Sequence, residues 1–186
     1  MGKSRIQETR LDPTISALAV ALSNGHYLKK YAHSEASTIV AWCLEIGAEV
    51  VGIDAPCRWS STGRARRAER SLATDGIFAF ATPSREVAQS RPFYRWMLNG
   101  AELFRLIEPQ YPLFNGGAQV STPVCFETFP QAVACALAGE IVSAKQKGRI
   151  RRELLLTAGL GKFKTYGDAT DGFIVVPAKA NVNNQV

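Results

Sequence analysis

Four aspartates and one glutamate carry the chemistry this sequence offers. Asp12 stands in Leu11-Asp12-Pro13-Thr14, Asp54 in Gly52-Ile53-Asp54-Ala55-Pro56, and Glu127 in Phe126-Glu127-Thr128-Phe129-Pro130. Asp168 and Asp171 are spaced i, i+3, so on a helix they share one face. Asp12 closes one candidate strand and Asp54 another. If those strands are parallel neighbours, their axes lie about 4.8 Å apart and both carboxylates project beyond one edge. Ligand sites in open α/β sheets lie along that edge. Two carboxylates so placed repel unless a cation sits between them. Hard oxygen donors select Mg²⁺ or Mn²⁺. A helix bringing Asp168 and Asp171 to the edge would complete a cluster suited to two-metal displacement at phosphorus.

Basic residues supply the complementary charge. Between residues 58 and 105 there are nine Arg, no Lys and four acids. Arg64, Arg66, Arg67 and Arg70 form one cluster, and Lys145, Lys147, Arg149, Arg151 and Arg152 another. Such runs either hold phosphates or form a solvated face. The carboxylates have second readings too. Asp12 before Pro13 suits turn initiation. Asp54 can cap the next segment, and Asp168 and Asp171 suit a helix start. Glu127 suits a salt bridge to one of the many arginines as well as it suits a metal.

The elements that must position these groups follow from hydropathy. Residues 4–12 form a polar strand candidate. Ile15 to Leu22 is apolar on both faces, as in a covered sheet, and Asn24-Gly25 marks a hairpin into a strand over His26 to Ala32. Ala36, Ile39, Val40, Cys43 and Ile46 recur at helical spacing, with Ser34 or Ser37 as cap and Gly47 as stop. Val50 to Asp54 is a buried-strand run. Helices are expected over Arg64 to Ala73, with Trp96 in the core of a second over Phe93 to Ile107. Residues 109–123 read as a loop, Val124 to Phe129 as a strand, and Gln131 to Ala138 and Lys145 to Ala158 as helices. The layout is α/β: three antiparallel strands, then βαβ units, in one mixed sheet flanked by helices.

Composition bounds the rest. The 186 residues suggest one domain, with a core over about 4–173 and a polar tail over 177–186. A chain of this length buries roughly 70% of its unfolded surface without disulfides or a structural metal. The net charge of +6 permits a polyanionic partner. Cys43, Cys57, Cys125 and Cys135 lack C-x-x-C spacing. The charges Lys3, Arg5, Glu8 and Arg10 leave no apolar signal run, so a cytoplasmic location with reduced thiols and no membrane association is expected.

The order of the pieces resembles domain-of-unknown-function family 429, commonly described as predicted nucleases of the ribonuclease H-like fold. The Gly52-Ile53-Asp54-Ala55-Pro56 and Glu127-Thr128-Phe129-Pro130 segments are its most specific parts, and it covers about residues 4 to 173. The resemblance implies a five-stranded mixed sheet whose first and fourth strands are parallel neighbours. It places Asp12 and Asp54 as strand-end metal ligands for Mg²⁺ or Mn²⁺, and Asp171, or else Asp168, on a final helix. Glu127 matches the family's strand-five glutamate. The implied activity is metal-dependent hydrolysis of nucleic-acid phosphodiesters, DNA or RNA, with Arg64, Arg66, Arg67, Arg70 and Lys145 on substrate phosphates.

Two departures support an alternative, a catalytically silent nucleic-acid-binding or structural module. The first strand carries Gln7-Glu8-Thr9-Arg10, and Asp171 is followed by Gly172 and soon by Pro177. Nucleotide phosphotransfer is disfavoured, because one lobe is too short to enclose a nucleotide and no G-x-x-x-x-G-K-[ST] loop occurs.

Overall fold

The computed structural model describes residues 17–23, 26–33, 35–117, 120–143, 147–157 and 173–177. A hairpin opens the described chain: β1 (Ala17–Ser23) and β2 (His26–His33) pair antiparallel. Helix α1 (Ala36–Glu45) then leads into β3 (Ala48–Ile53). A long crossover follows. It carries α2 (Arg67–Thr74), α3 (Arg85–Ser90), a 3₁₀ turn at Pro92–Tyr94 and α4 (Arg95–Ile107), and it returns as β4 (Val124–Glu127). After α5 (Pro130–Ala138) and α6 (Lys147–Thr157) comes β5 (Phe173–Pro177). The protein is mixed α/β.

The strands hydrogen-bond in the order β2-β1-β5-β3-β4. β3 runs parallel to β4 and antiparallel to β5, while β5 runs parallel to β1. This corrects the expected topology. A strand has two hydrogen-bonding sides, and β3 uses one for β4 and the other for β5. The strand over residues 4–12 lies outside the described residues, and no side of β3 remains for it as a parallel neighbour. The second correction concerns the final helix that the resemblance implies from Asp171: the chain from Phe173 is a strand. Ile174, Val175 and Val176 are β-branched, and Pro177 lacks the N–H that would continue a helix, so the segment pairs as a strand.

One edge of this sheet gathers several chain segments. β3 and β4 end there, with Asp54 directly after β3 and Glu127 as the last residue of β4. The antiparallel β5 begins there, and β1, parallel to β5, begins there as well.

The core explains why β3 and β4 are fixed. Ile39, Trp42 and Cys43 of α1 pack with Val51 and Ile53 of β3, Cys125 of β4, and Leu103, Phe104 and Ile107 of α4. Their spacing on α1 and α4 places one apolar stripe of each helix toward the sheet. The cap of α1 differs from expectation: its N-cap is Glu35, without a side-chain cap hydrogen bond. Gly47 closes the helix at φ +62°, a left-handed conformation glycine adopts without a Cβ penalty. Trp96 is also corrected. It is 41% exposed, because the buried stripe of α4 runs through Met97, Gly100, Leu103, Phe104 and Ile107.

Gly100 sets the position of the chain after β3. A Cβ at Gly100 would overlap the Cβ of Ala55. The helix therefore seats directly on the residue that follows Asp54, a close approach that glycine permits.

Candidate functional site

Asp54 and Glu127 sit at neighbouring strand ends. Ile53 is in register with Glu127, and the Thr128 N–H donates to the Ile53 carbonyl at 2.9 Å. The two carboxylates nevertheless occupy different settings. Asp54 is half-buried at the mouth of the β3–α2 loop. Glu127 is the hub of a closed polar network.

Arg66 makes that network. Its Nη1 donates to Glu127 Oε2 at 2.8 Å and its Nη2 to Oε1 at 2.5 Å, the two-pronged geometry that suits a guanidinium and a carboxylate. The Cys57 backbone N–H donates to the same Oε2 at 2.9 Å. On its other side, Arg66 Nε donates to Glu69 Oε1 at 2.8 Å. The Arg66 backbone N–H donates to Glu69 Oε2 at 2.8 Å, half of a capping box at the start of α2. Glu69 is 7% exposed, and it also accepts from the Thr82 hydroxyl and from the Thr82 N–H. Glu127, Arg66, Glu69 and Thr82 thus tie the end of β4 to α2 and to the loop before α3.

The electrostatics follow from that saturation. Burial alone would push the Glu127 carboxyl up, but the Arg66 guanidinium and the Cys57 N–H outweigh it and hold it below the usual carboxylate value. Burial likewise opposes ionisation of Glu69, and the Thr82 hydroxyl and N–H, with Arg66, reverse its effect. Burial also opposes the charge on Arg66, and Glu127 and then Glu69 more than restore it. The Cys57 thiol is pushed up to about 11 by burial and then by the neighbouring Glu127, so it stays protonated at neutral pH. A nucleophilic role at Cys57 would require the opposite shift.

The sequence candidates therefore separate. Asp54, Glu127 and Arg66 come together at the sheet edge. Asp12, Asp168, Asp171 and Lys145 lie outside the described residues. Arg64, Arg67 and Arg70 are exposed, and Arg70 turns its guanidinium back onto the Ala65 carbonyl. Arg66 was expected on substrate phosphate, whereas its guanidinium here is committed to Glu127 and Glu69. Of the two readings open for Glu127, the structure displays the salt bridge to an arginine. Arg149 lies on α6, 3.9 Å from Glu153.

Sequence reasoning missed Glu69, Thr82 and Gly100. The first had a signal: Arg66 and Glu69 have the spacing of a capping box, with arginine where serine or threonine is usual. Thr82 and Gly100 act through contacts distant in sequence, which no local pattern marks.

Among the described residues no group of three or more His, Cys, Asp or Glu could hold a metal. Glu127 does not fit as a ligand in this arrangement, because both its oxygens already accept charged or backbone donors. Asp54 fits by its hard oxygen chemistry and its place at the edge. No helix among the described residues is long and apolar enough to cross a membrane.

Comparison with known proteins gives one match. The family model described as "Protein of unknown function (DUF429)" matches residues 11–182. No curated protein and no solved structure matches the chain.

Proposed function

The chain belongs to the DUF429 family, and from that premise we propose that it is a divalent-metal-dependent phosphodiester hydrolase of ribonuclease H-like type acting on nucleic acid. One observation carries the reading: the register of β5 against β3. Gly52 pairs with Ile174, two residues before Asp54 on one strand and three residues after Asp171 on the other. The antiparallel β5 thus enters the sheet at the edge where β3 delivers Asp54, and Asp171 stands two residues before it in the chain. β1 begins at the same edge, and Asp12 stands five residues before it. The strand order differs from the one the resemblance implies, yet β3 ends and β1 and β5 begin at this edge, each within five residues in sequence of one candidate aspartate.

Asp54, Asp12 and Asp171, with Asp168 as the substitute for Asp171, would hold Mg²⁺ or Mn²⁺. Such a cation, when bound, activates water and stabilises a leaving oxygen at phosphorus. Glu127 takes no part in holding it. Glu127 and Arg66 fix the end of β4 beside Asp54 and keep the loop after Asp54 in place through the Cys57 N–H. Arg64, Arg67 and Arg70 remain the phosphate-binding candidates on α2 and its approach, with Lys145 beyond them in the chain. The test is cleavage of labelled DNA and RNA by wild type and Asp54→Asn with Mg²⁺ or Mn²⁺. Metal-dependent product that disappears in Asp54→Asn supports the proposal. Undiminished cleavage by Asp54→Asn overturns it.

A second reading, a catalytically silent nucleic-acid-binding module, is favoured by the saturation of Glu127. It calls for binding that weakens steeply with salt while product never forms.

A further inference from the structure

The crossover between β3 and β4 carries its apolar surface in an unusual place. Phe78 is 78% exposed, Phe80 67% and Phe93 58%. Exposed aromatics so close together are uncommon unless they meet something. The rings form a small array: Phe80 and Phe93 are edge to face with centroids 5.5 Å apart, and Phe93 meets Tyr94 at 5.1 Å.

The crossover that bears this array is rich in exposed arginine. Of the nine arginines in residues 58–105, Arg58 is held by Glu108, Arg66 is enclosed by two glutamates, and Arg105 is held by Glu102. Arg64, Arg67, Arg70, Arg85, Arg91 and Arg95 are exposed and form no ion pair among the described residues. Of the four acids, Glu69 is buried and Glu102 is occupied, which leaves Asp75 and Glu86. Over this crossover six arginines without an ion pair outnumber two such acids. Arg91 and Arg95 bracket the Phe93-Tyr94 pair in sequence, and both are exposed.

The array is also held in place. Thr82, two residues after Phe80, is bound by Glu69 through its N–H at 3.0 Å. The Ser60 N–H donates to the Pro83 carbonyl at 3.1 Å, and the Ile77 N–H to the Leu72 carbonyl at 2.8 Å. The segment bearing Phe78 and Phe80 is pinned on both sides. Through Glu69 and Arg66 it is tied to Glu127 at the sheet edge.

We propose that Phe80 and Phe93, flanked by Arg91 and Arg95, form a stacking platform for the bases of a single-stranded nucleic acid. Flat rings beside a cationic track are the two features that hold unpaired strands, since every base has a π face and every linkage a charge. A duplex hides its base faces and offers the rings nothing to stack on. The inference deepens the phosphodiester reading by naming the form of the substrate. It rests on that reading for the fate of the bound strand, while binding itself is measured apart from it.

The experiment is fluorescence anisotropy with labelled oligothymidylate, oligouridylate and a DNA duplex, in EDTA so that no cleavage intervenes. Wild type and Asp54→Asn should both prefer the single strands. Phe80→Ala with Phe93→Ala should weaken single-strand binding about tenfold or more. Phe80→Leu with Phe93→Leu, which keeps apolar bulk without a π system, should weaken it similarly. Arg91→Gln with Arg95→Gln should lower the salt slope of log K by about 0.7 per arginine lost. The two polymers separate DNA from RNA by their relative affinity. Equal affinity for duplex, full binding by the leucine variant, or loss of self-association rather than of oligonucleotide binding in the alanine variant would each overturn the proposal. Cleavage by Asp54→Asn would sink the hydrolase reading and leave this one standing.

Discussion

Arg66 and Arg91 lie on the same crossover and share one side-chain chemistry, yet their surroundings assign them opposite work. Arg66 is enclosed by two carboxylates, each of which also accepts backbone donors, so its charge is spent inside the protein. Arg91 stands two residues before the exposed Phe93 and meets no carboxylate at ion-pair distance among the described residues. The two strand-end acids also differ. Glu127 is saturated by Arg66 and the Cys57 N–H, whereas Asp54 is half-buried where β3 gives way to the following loop. An arginine cluster in a sequence is thus two populations: one that builds the edge and one whose charge meets no carboxylate among the described residues.

The largest expected effect breaks the first population. Arg66→Ala leaves Glu69 and Glu127 partly buried without their counter-charge, and should cost about 3–5 kcal/mol in urea unfolding. Arg91→Ala and Arg67→Ala should stay within about 0.5 kcal/mol, as surface changes do. Equal losses at Arg66 and Arg91 would erase the distinction.

Gly100→Ala comes next. The new methyl must displace Ala55 or α4, and overpacking of this kind costs about 1–3 kcal/mol. Because Ala55 follows Asp54, any metal-dependent turnover should fall further than stability does. Ala55→Gly in the same chain should restore part of both.

Thr82→Val removes the hydroxyl donor to Glu69 and keeps the N–H donor, with an expected cost of about 1 kcal/mol. The loop carrying Phe80 should show faster amide hydrogen exchange in this variant, since one of its ties to the network is lost.

Acid sharpens the same contrast. Glu69 and Glu127 are held below the ordinary value near about 4.3 in the folded protein. Their folded-state values are depressed, so the stability they contribute is complete above the ordinary value. It is lost as the pH falls through the folded values. The urea midpoint of wild type should therefore drop on acidification below about pH 4.3, and less steeply in Glu127→Gln.

Much of the fold was legible because it rests on local patterning. The apolar runs at Val50–Ile53 and Val124–Phe126 and the helical stripe through Ile39, Val40 and Cys43 each appear where periodicity put them. The slot beside β3 was not legible. Phe173–Pro177 reads locally as a short β-branched run, and only pairing distant in sequence places it between β1 and β3. Arg66 could not be told from Arg64 or Arg67 by composition, because what separates them is a carboxylate 61 residues away. The capping-box spacing to Glu69 was the one local sign of its role. Trp96 shows the reverse error: an aromatic on an amphipathic helix reads as core until the buried stripe is fixed by Gly100 and Phe104.

In the function proposed above, two neighbouring carboxylates on one edge divide the labour: Asp54 would hold a cation, while Glu127 holds the chain. Calorimetric titration of Mn²⁺ into wild type, Asp54→Asn and Glu127→Gln tests it directly. Saturable binding in wild type and in Glu127→Gln, abolished in Asp54→Asn, is the predicted result. Binding that survives in Asp54→Asn, or that vanishes in a folded Glu127→Gln, would contradict the account.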